Sequence, residues 1–217
     1  DKAASTIVIN GTNAITTVEK ATVTITVGPE GVTGAVIVSV DGEGKQYELD
    51  DGTVTLEISR LAAGNHTITA KYVGDKNYNA SEIAEMNITV SLTPTEMEID
   101  TEDAVYGETA FVIVSGLPED ATGTVTVTIG DKTFTADVED GSAIVEITGL
   151  AADEYEFEVS YSGDDIYAGS SDEGTIEISP ASSTVVINSI EDVIYNESVE
   201  VSYAIENRTE VTVSVYD

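Results

Sequence analysis

The stretch Thr124-Val-Thr-Val-Thr-Ile129 alternates polar and branched aliphatic side chains, and the same period of two recurs along most of the 217-residue chain. Successive side chains of a β-strand point to opposite faces of its sheet, so this period predicts strands with one buried face. The runs are short and are separated by turn-forming pairs such as Asp41-Gly42, Asp51-Gly52 and Asp140-Gly141. The sequence therefore predicts an all-β protein.

The chain also repeats itself. The segment Tyr72-Val-Gly-Asp-Lys-Asn-Tyr-Asn-Ala-Ser81 recurs as Tyr161-Ser-Gly-Asp-Asp-Ile-Tyr-Ala-Gly-Ser170, an offset of 161 − 72 = 89 residues. An interval of this length with about seven short strands matches an immunoglobulin-like sandwich in size. We therefore predict one sandwich at residues 1–94, a second at 95–181 and an incomplete third at 182–217. Short, proline-containing joints predict that they lie end to end as a rod.

The alternation and the turns also predict where the strands lie. In the first repeat, strands A to G are expected near residues 5–10, 21–27, 35–41, 45–49, 53–59, 66–73 and 84–91. In the second repeat they are expected near residues 95–101, 109–115, 123–130, 132–138, 143–148, 155–161 and 174–179.

Composition excludes several classes of function. The chain has 41 acidic and 8 basic residues, a formal charge of -33 and no cysteine. Nucleic acids and anionic membrane surfaces need clustered Lys and Arg, so neither is an expected partner. No apolar run approaches the roughly 18 residues that a membrane span requires, so no membrane insertion is expected within this segment. The first residue is Asp1 and the last run is cut in mid-alternation, so we expect an internal fragment of a longer protein.

The only histidine, His66, invites a catalytic interpretation, but it aligns with Tyr155 at the repeat offset. A tyrosine at this place in a sandwich commonly forms a corner by hydrogen-bonding to the preceding loop. A catalytic histidine would not exchange with tyrosine in a sister repeat, so we predict a structural corner for both residues. Because no nucleophile and base can be paired, we predict no enzyme activity, no catalytic residue and no cofactor.

A family resemblance rests on Tyr106-Gly-Glu-Thr109, Gly123-Thr-Val-Thr-Val, Asp140-Gly141, Leu150 and the closing segment from Tyr161 to Ser170. This pattern resembles the bacterial immunoglobulin-like (Big) repeats, and the acidic, Thr-rich composition is similar to that of adhesin-like proteins of methanogenic archaea. The resemblance implies tandem extracellular modules that form a stalk on the cell surface. The first repeat departs from the pattern at Val18-Glu-Lys-Ala21, where the second has Tyr-Gly-Glu-Thr.

Two kinds of surface site are open. Acidic pairs at Asp50-Asp51, Glu119-Asp120, Glu139-Asp140 and Asp164-Asp165 offer oxygen ligands for Ca²⁺, although none has the spacing of a known calcium loop. The joints near Asp100, Glu102, Asp103 and near Glu191, Asp192 are the other places for such a site. Candidate N-glycosylation sequons occur at Asn10, Asn65, Asn79, Asn87, Asn196 and Asn207. Glycan shielding would place them on surface loops and edges, whereas a Thr-rich strand composition would produce the same triplets without modification.

Three functions compete. The first is a structural and interaction module of a cell-surface adhesin, whose partners are neighbouring repeats and a surface ligand. The second is a subunit of an extracellular filament or surface layer, assembled by pairing strands between chains. The third, an accessory carbohydrate-binding module, ranks lowest because the chain has no Trp for a binding platform. The incomplete third repeat bears on the filament hypothesis, because its aliphatic side chains would line only half a core. We expect another chain or further sequence to cover this half-core. Its residues are Val185, Ile187, Val199, Val201, Val211, Val213 and Val215.

Overall fold

The computed structural model describes residues 1–187 and 203–205, with side chains described for residues 1–184. Eighteen β-strands and no helix occur in this part of the chain, which confirms the predicted all-β class. The strands form two sandwiches of immunoglobulin type, one in each full repeat.

The first repeat pairs a three-stranded sheet with a five-stranded one. The three-stranded sheet has the order β1-β3-β6, and the five-stranded sheet has the order β2-β8-β7-β4-β5. The strands are β1 (Thr6–Gly11), β2 (Ala14–Thr16), β3 (Ala21–Gly28), β4 (Ala35–Val40), β5 (Glu43–Glu48), β6 (Thr53–Ile58), β7 (Gly64–Tyr72) and β8 (Ala84–Ser91).

The second repeat has the same topology. Its sheets have the orders β14-β11-β9 and β10-β16-β15-β12-β13. The strands are β9 (Glu98–Glu102), β10 (Ala104–Val105), β11 (Ala110–Ser115), β12 (Thr124–Ile129), β13 (Lys132–Asp137), β14 (Ala143–Ile147), β15 (Asp153–Tyr161) and β16 (Ser170–Ser179).

Each repeat encloses its own hydrophobic core. Burial alternates along β3, where Val23 and Ile25 are fully buried and Thr22 and Thr26 on either side of them are exposed. In the second repeat Val112 and Val114 of β11 pack in the same way against β12 and β15 residues. The period of two in the sequence is therefore the inside-to-outside alternation of two facing sheets.

The Asp-Gly pairs close tight turns, as the sequence predicts. Asp41 and Gly42 have φ values of 49° and 92°, and Asp140 and Gly141 have 49° and 73°. Positive φ at both central residues is the geometry of a type I′ turn, whose twist matches that of the flanking strands. Asp and Gly are the residues that tolerate this region, which explains why they mark the strand boundaries.

The lettering A to G needs correction in one respect. The fourth strand, expected near residues 45–49, pairs along its length with β4 rather than with the strand that follows it. It therefore belongs to the five-stranded sheet, and β13 does the same in the second repeat. The two-residue turn at Asp41-Gly42 forces this pairing, because a turn so short can only join neighbouring strands of one sheet.

Two short strands were not predicted. They are β2 and β10, and each pairs in parallel with the last strand of its repeat. Two or three residues are too few to show a period, so the sequence offered no signal for them.

The constant offset of 89 also needs correction. Val8 in the first strand and Glu98 in its counterpart occupy equivalent pairing positions, at an offset of 90. Ile88 and Ile176 in the last strands face the corner residues His66 and Tyr155, at an offset of 88. Single-residue differences in the loops produce these shifts.

The third repeat falls largely outside the described residues. Two short strands, β17 (Val185–Ile187) and β18 (Tyr203–Ile205), pair antiparallel. The expectation for Val199, Val201, Val211, Val213 and Val215 lies outside the described part of the chain.

Candidate functional site: the Tyr-x-Gly-Asp loop and the repeat junction

The repeated motif folds into a loop that connects the last two strands of each sandwich. We call residues 73–80 and 162–169 the motif loops. In the second repeat, Asp164 Oδ1 accepts hydrogen bonds from the backbone N–H groups of Ile166 and Tyr167, at 2.8 and 2.7 Å. Its Oδ2 accepts from Thr122 N and Oγ1, at 2.8 and 3.0 Å. One carboxylate thus closes its own loop and fastens it to the loop that precedes β12.

The first repeat reproduces this arrangement. Asp75 Oδ1 accepts from the N–H groups of Asn77 and Tyr78, both at 2.7 Å. Its Oδ2 accepts from Thr33 N at 3.2 Å and Thr33 Oγ1 at 2.9 Å. Desolvation acts to raise the pKa of Asp75, but these hydrogen bonds outweigh it and hold that pKa well below its usual range. The carboxylate is therefore stabilised in its ionised form as part of the turn, where it caps the N–H groups of the loop.

The tyrosines of the motif close the end of the core. Tyr72 is fully buried, and burial raises the pKa of its phenol to about 12, while its hydroxyl donates to Thr33 O at 2.7 Å. Tyr161 makes the equivalent bond to Thr122 O at 2.6 Å. Tyr167 is also buried and donates to Asp120 Oδ1 at 2.7 Å, and this bond is the main reason why the pKa of Tyr167 is raised to about 12.

The glycine of the motif is required by a close backbone approach. Gly163 has a φ of 71°, and a Cβ placed on it would lie 2.6 Å from Gly169 N and 2.8 Å from Tyr167 O. No side chain fits between these backbone atoms, and the positive φ adds strain for any L-residue. The sequence Gly-Asp is therefore explained by the turn itself.

The motif loop also holds the segment that leads into its repeat. Thr93 donates from its N–H to Ile166 O at 2.9 Å, and its carbonyl accepts from Ala168 N at 2.8 Å, which forms a parallel bridge to Tyr167. Thr95 Oγ1 adds a bond to Ala168 O at 2.8 Å. We call this set of contacts the linker pairing.

The first repeat makes the same linker pairing with its own leading residues. Ala3 N donates to Asn77 O and Asn79 N donates to Ala3 O, both at 2.8 Å. Ser5 Oγ takes the place of the threonine hydroxyl and donates to Asn79 O at 2.9 Å. Because the pairing recurs at equivalent positions, binding the leading segment is a property of the motif loop in both repeats.

Thr17 of the first repeat completes the junction with the second. Its hydroxyl donates to Ile166 O at 2.5 Å and accepts from Thr93 N at 3.2 Å. Thr93 Oγ1 lies 2.9 Å from the same oxygen. One hydroxyl thus uses its single donor and both lone pairs to join the turn of one repeat, the linker and the motif loop of the next.

The alignment of the turn that contains Thr17 is corrected by its hydrogen bonds. Thr17 N donates to Ser91 O and Glu19 N to Thr16 O, while Tyr106 N donates to Ser179 O and Glu108 N to Val105 O. Thr17 is therefore the counterpart of Tyr106, one residue earlier than the expected match at Val18. The corrected register also aligns the one residue that the two turns share, Glu19 with Glu108.

The corner prediction is confirmed by matching contacts. His66 Nε2 lies 2.8 Å from Ala62 O, and Tyr155 donates from its hydroxyl to Ala151 O at 3.2 Å, in each case four residues back. His66 Nδ1 also lies 2.6 Å from Asp41 Oδ2. The bond to Asp41 is the main reason why the pKa of His66 is raised, and a protonated ring donates from both nitrogens to these two acceptors. In its protonated form the ring ties the β4–β5 turn to the corner.

The sequons of the described residues all have exposed asparagines, but only part of them lie in loops or edge strands. Asn10 lies in edge strand β1 and Asn79 in the first motif loop. Asn65 and Asn87 instead lie on the inner strands β7 and β8, where Asn65 Oδ1 accepts from Thr89 and Asn87 Oδ1 accepts from Thr67, both at 3.0 Å. The two sequons thus bond reciprocally across the strand pair, contrary to the expectation of loops and edges. Asn196 and Asn207 lie outside the described residues.

The acidic loops do not converge. Within residues 1–187 and 203–205, no group of three acidic or histidine side chains could hold a metal ion. Several of the candidate carboxylates instead accept hydrogen bonds from the protein, as Asp164 and Asp120 do above and as Asp103 does from Glu177 N at 2.8 Å. Glu191 and Asp192 lie outside the described part. No helix within residues 1–187 and 203–205 is long and apolar enough to cross a bilayer.

Comparison with known families supports the architecture. Residues 8–91 match the family model of the bacterial Ig-like domain, group 3. The matched span runs from β1 to the end of β8 and so covers the first sandwich. No curated protein matches the chain. Domains of this kind are surface or structural modules and are typically non-enzymatic, which agrees with a motif whose polar atoms bond to the protein itself.

Sequence reasoning identified the motif loop and the corner but missed Thr17 and Thr93. A lone threonine in a Thr-rich chain carries no signal, and the junction depends on a contact between residues 149 positions apart. The recurrence of a hydroxyl residue at Ser5 and Thr95 was the one clue available, and the one-residue change in offset concealed it.

Proposed function

We propose that this chain is a structural segment of an extracellular, cell-surface adhesin-like protein, in which tandem Ig-like repeats form a stalk for cell adhesion. The stalk displays adhesive surfaces at a distance from the cell, and the repeats themselves perform no catalysis. The ligand is a surface partner bound elsewhere in the parent protein or on exposed faces of the repeats. The proposed parent protein is similar to the adhesin-like proteins of methanogenic archaea.

The observation that carries the proposal is the junction. The linker between two flexibly connected domains would be free, whereas Thr93 is bonded on one side to the motif loop and on the other to Thr17. A stalk requires such restricted joints, because free swivelling would shorten its reach. The same pairing at Ala3 shows that the device belongs to the repeat and not to one linker.

The acidic surface suits an extracellular array. With a formal charge of -33, neighbouring stalks repel one another and stay dispersed. N-linked glycans at the exposed asparagines would add to this shielding.

The test is made on cells. Antibodies against residues 1–181 should label intact cells, and replacing these residues by a Gly/Ser chain of equal residue number should reduce adhesion under flow while surface display is retained. Labelling only after permeabilisation would contradict the surface location. Full adhesion with the Gly/Ser chain would contradict the stalk.

A second candidate is a filament subunit that pairs strands between chains. The strands β5 and β13 favour it, because each ends a five-stranded sheet and leaves one edge open. Charged residues such as Lys45 and Lys132 on these edges oppose such pairing, which is why the stalk ranks first. Sedimentation across a range of protein concentrations separates the two, since a filament subunit would grow in mass.

A further inference from the structure

Each repeat carries two parallel backbone pairings, a single bridge where the chain enters and a short strand pair where it leaves. At the entry, the linker pairing joins Thr93 and Thr95 to the motif loop in parallel orientation. Towards the exit, β10 pairs in parallel with the last residues of β16, and Tyr106 N extends the pairing by a bond to Ser179 O at 2.8 Å. The first repeat has both features, with β2 and β8 in the second role.

The two attachment points lie at opposite ends of the last strand. The chain enters beside the motif loop, next to the start of β16 at Ser170, and it leaves at Ser179, the end of that strand. Tension along the array therefore pulls the leading segment and the last strand in opposite directions along their shared axis. Parallel neighbours loaded this way slide past each other, so their hydrogen bonds must break together. Strands loaded across their axis would separate one bond at a time.

From this geometry we propose a further function of the module: the linker pairing and the parallel terminal strands form a shear clamp that resists unfolding under tension. The inference rests on the proposed stalk role, which supplies the tension. The linker pairing lies outside the sandwich core, so its contribution is separable from packing.

The two repeats should differ in strength. The terminal pairing has three residue pairs in the first repeat, from Ala14 with Thr89 to Thr16 with Ser91, but only two in the second. Forced unfolding follows the unfolding barrier and not equilibrium stability alone. We therefore expect the second repeat to unfold at the lower force.

The test stretches the whole chain between its termini in a single-molecule instrument at constant pulling speed. Two unfolding events should appear, each releasing about 30 nm of extended chain. Thr95→Val removes the hydroxyl that bonds Ala168 O without a change in side-chain shape and should lower only the weaker event. Ser5→Ala should lower only the stronger one. Tyr106→Pro, which deletes the N–H donor to Ser179 O, should also weaken the second repeat.

Thr135→Val is the matched control, because it makes the same chemical change at an exposed position of β13, outside the path of tension. Equilibrium denaturation of each variant shows whether its folding stability has also changed. A weaker event that is unchanged by Thr95→Val, or lowered equally by Thr135→Val, would overturn the clamp. Since the pulling assay needs no cells, that result would leave the adhesion test of the stalk unaffected.

Discussion

Asp164→Asn removes two of the four hydrogen bonds that the carboxylate of the second motif loop accepts. The asparagine keeps an acceptor for the N–H groups of Ile166 and Tyr167, but its NH₂ group replaces Oδ2 and cannot accept from Thr122 N or Oγ1. The loop then loses one of its attachments to the segment before β12, while the bond from Tyr167 to Asp120 remains, and the linker pairing loses part of its support.

The size of the effect follows from those two bonds. Hydrogen bonds to a charged group contribute about 1.5–3 kcal/mol each. Because Thr122 is exposed, solvent screening reduces this, and we expect a total loss of about 2 kcal/mol. For a domain of this size that loss lowers the melting temperature of the second repeat by about 8–16 °C.

The effect should depend on pH with a definite sign. Desolvation acts to raise the pKa of Asp164, but the bonds from Thr122, Tyr167 and Ile166 outweigh it and place that pKa below its ordinary value of 3.8. A carboxyl group with a lowered pKa stabilises the fold above the unfolded value and loses this contribution as pH falls through the folded value. The difference between the native sequence and Asp164→Asn should be full at pH 7 and shrink below about pH 3.8.

Hydrogen exchange followed by mass spectrometry locates the change, and calorimetry gives its size. Peptides containing Thr93 and the second motif loop should exchange faster in Asp164→Asn, while those of the first motif loop should not change. Asp165→Asn removes the same charge one residue away and serves as the control. Equal exchange and melting in the two variants, or a difference that persists undiminished in acid, would refute the role of this carboxylate.

Two further predictions concern the corner and the core. Because the pKa of His66 is raised, its contribution is complete below the unfolded value of 6.5 and is lost as pH rises through the folded value. The first repeat should therefore lose stability relative to the second as pH rises above 6.5 in calorimetry, and His66→Tyr should abolish that pH dependence; an unchanged profile would contradict the ion pair. In the core, a Cβ on Gly174 would lie 2.5 Å from Phe157 Cζ, so Gly174→Met should cost about 1–3 kcal/mol. The double variant Phe157→Ile with Gly174→Met recreates the first repeat's pair, Ile68 facing Met86, and should recover much of that loss in denaturant unfolding; strictly additive losses would argue against the pairing.

Much of the fold could be predicted because its signals are local. Alternation in β3 and β11 marks a buried face, and the Asp-Gly turns mark the strand ends. The corner could be predicted because His66 and Tyr155 occupy one position in two copies of the repeat. An exchange between residues of different chemistry is direct evidence for what the position requires, here a hydrogen bond to a carbonyl.

The remainder depends on contacts that a sequence pattern does not encode. The short turn at Asp41-Gly42 does indicate which sheet β5 joins, but β2 and β10 are too short to show a period. The sequons at Asn65 and Asn87 lie on inner strands because outward positions of β7 and β8 are also filled by Asn and Thr. The junction needs Thr17 and Ile166 to meet, and only the three-dimensional arrangement brings them together.

The distance between the two repeats tests the restrained joint most directly. The chain has no cysteine, so Glu43→Cys with Glu146→Cys places one spin label on each repeat and nowhere else. Pulsed electron spin resonance on this protein should give one narrow distance distribution. Adding Thr17→Val and Thr93→Val should broaden it, and adding Thr135→Val should not. A distribution as broad with the threonines in place as without them would contradict a restrained joint and the stalk that depends on it.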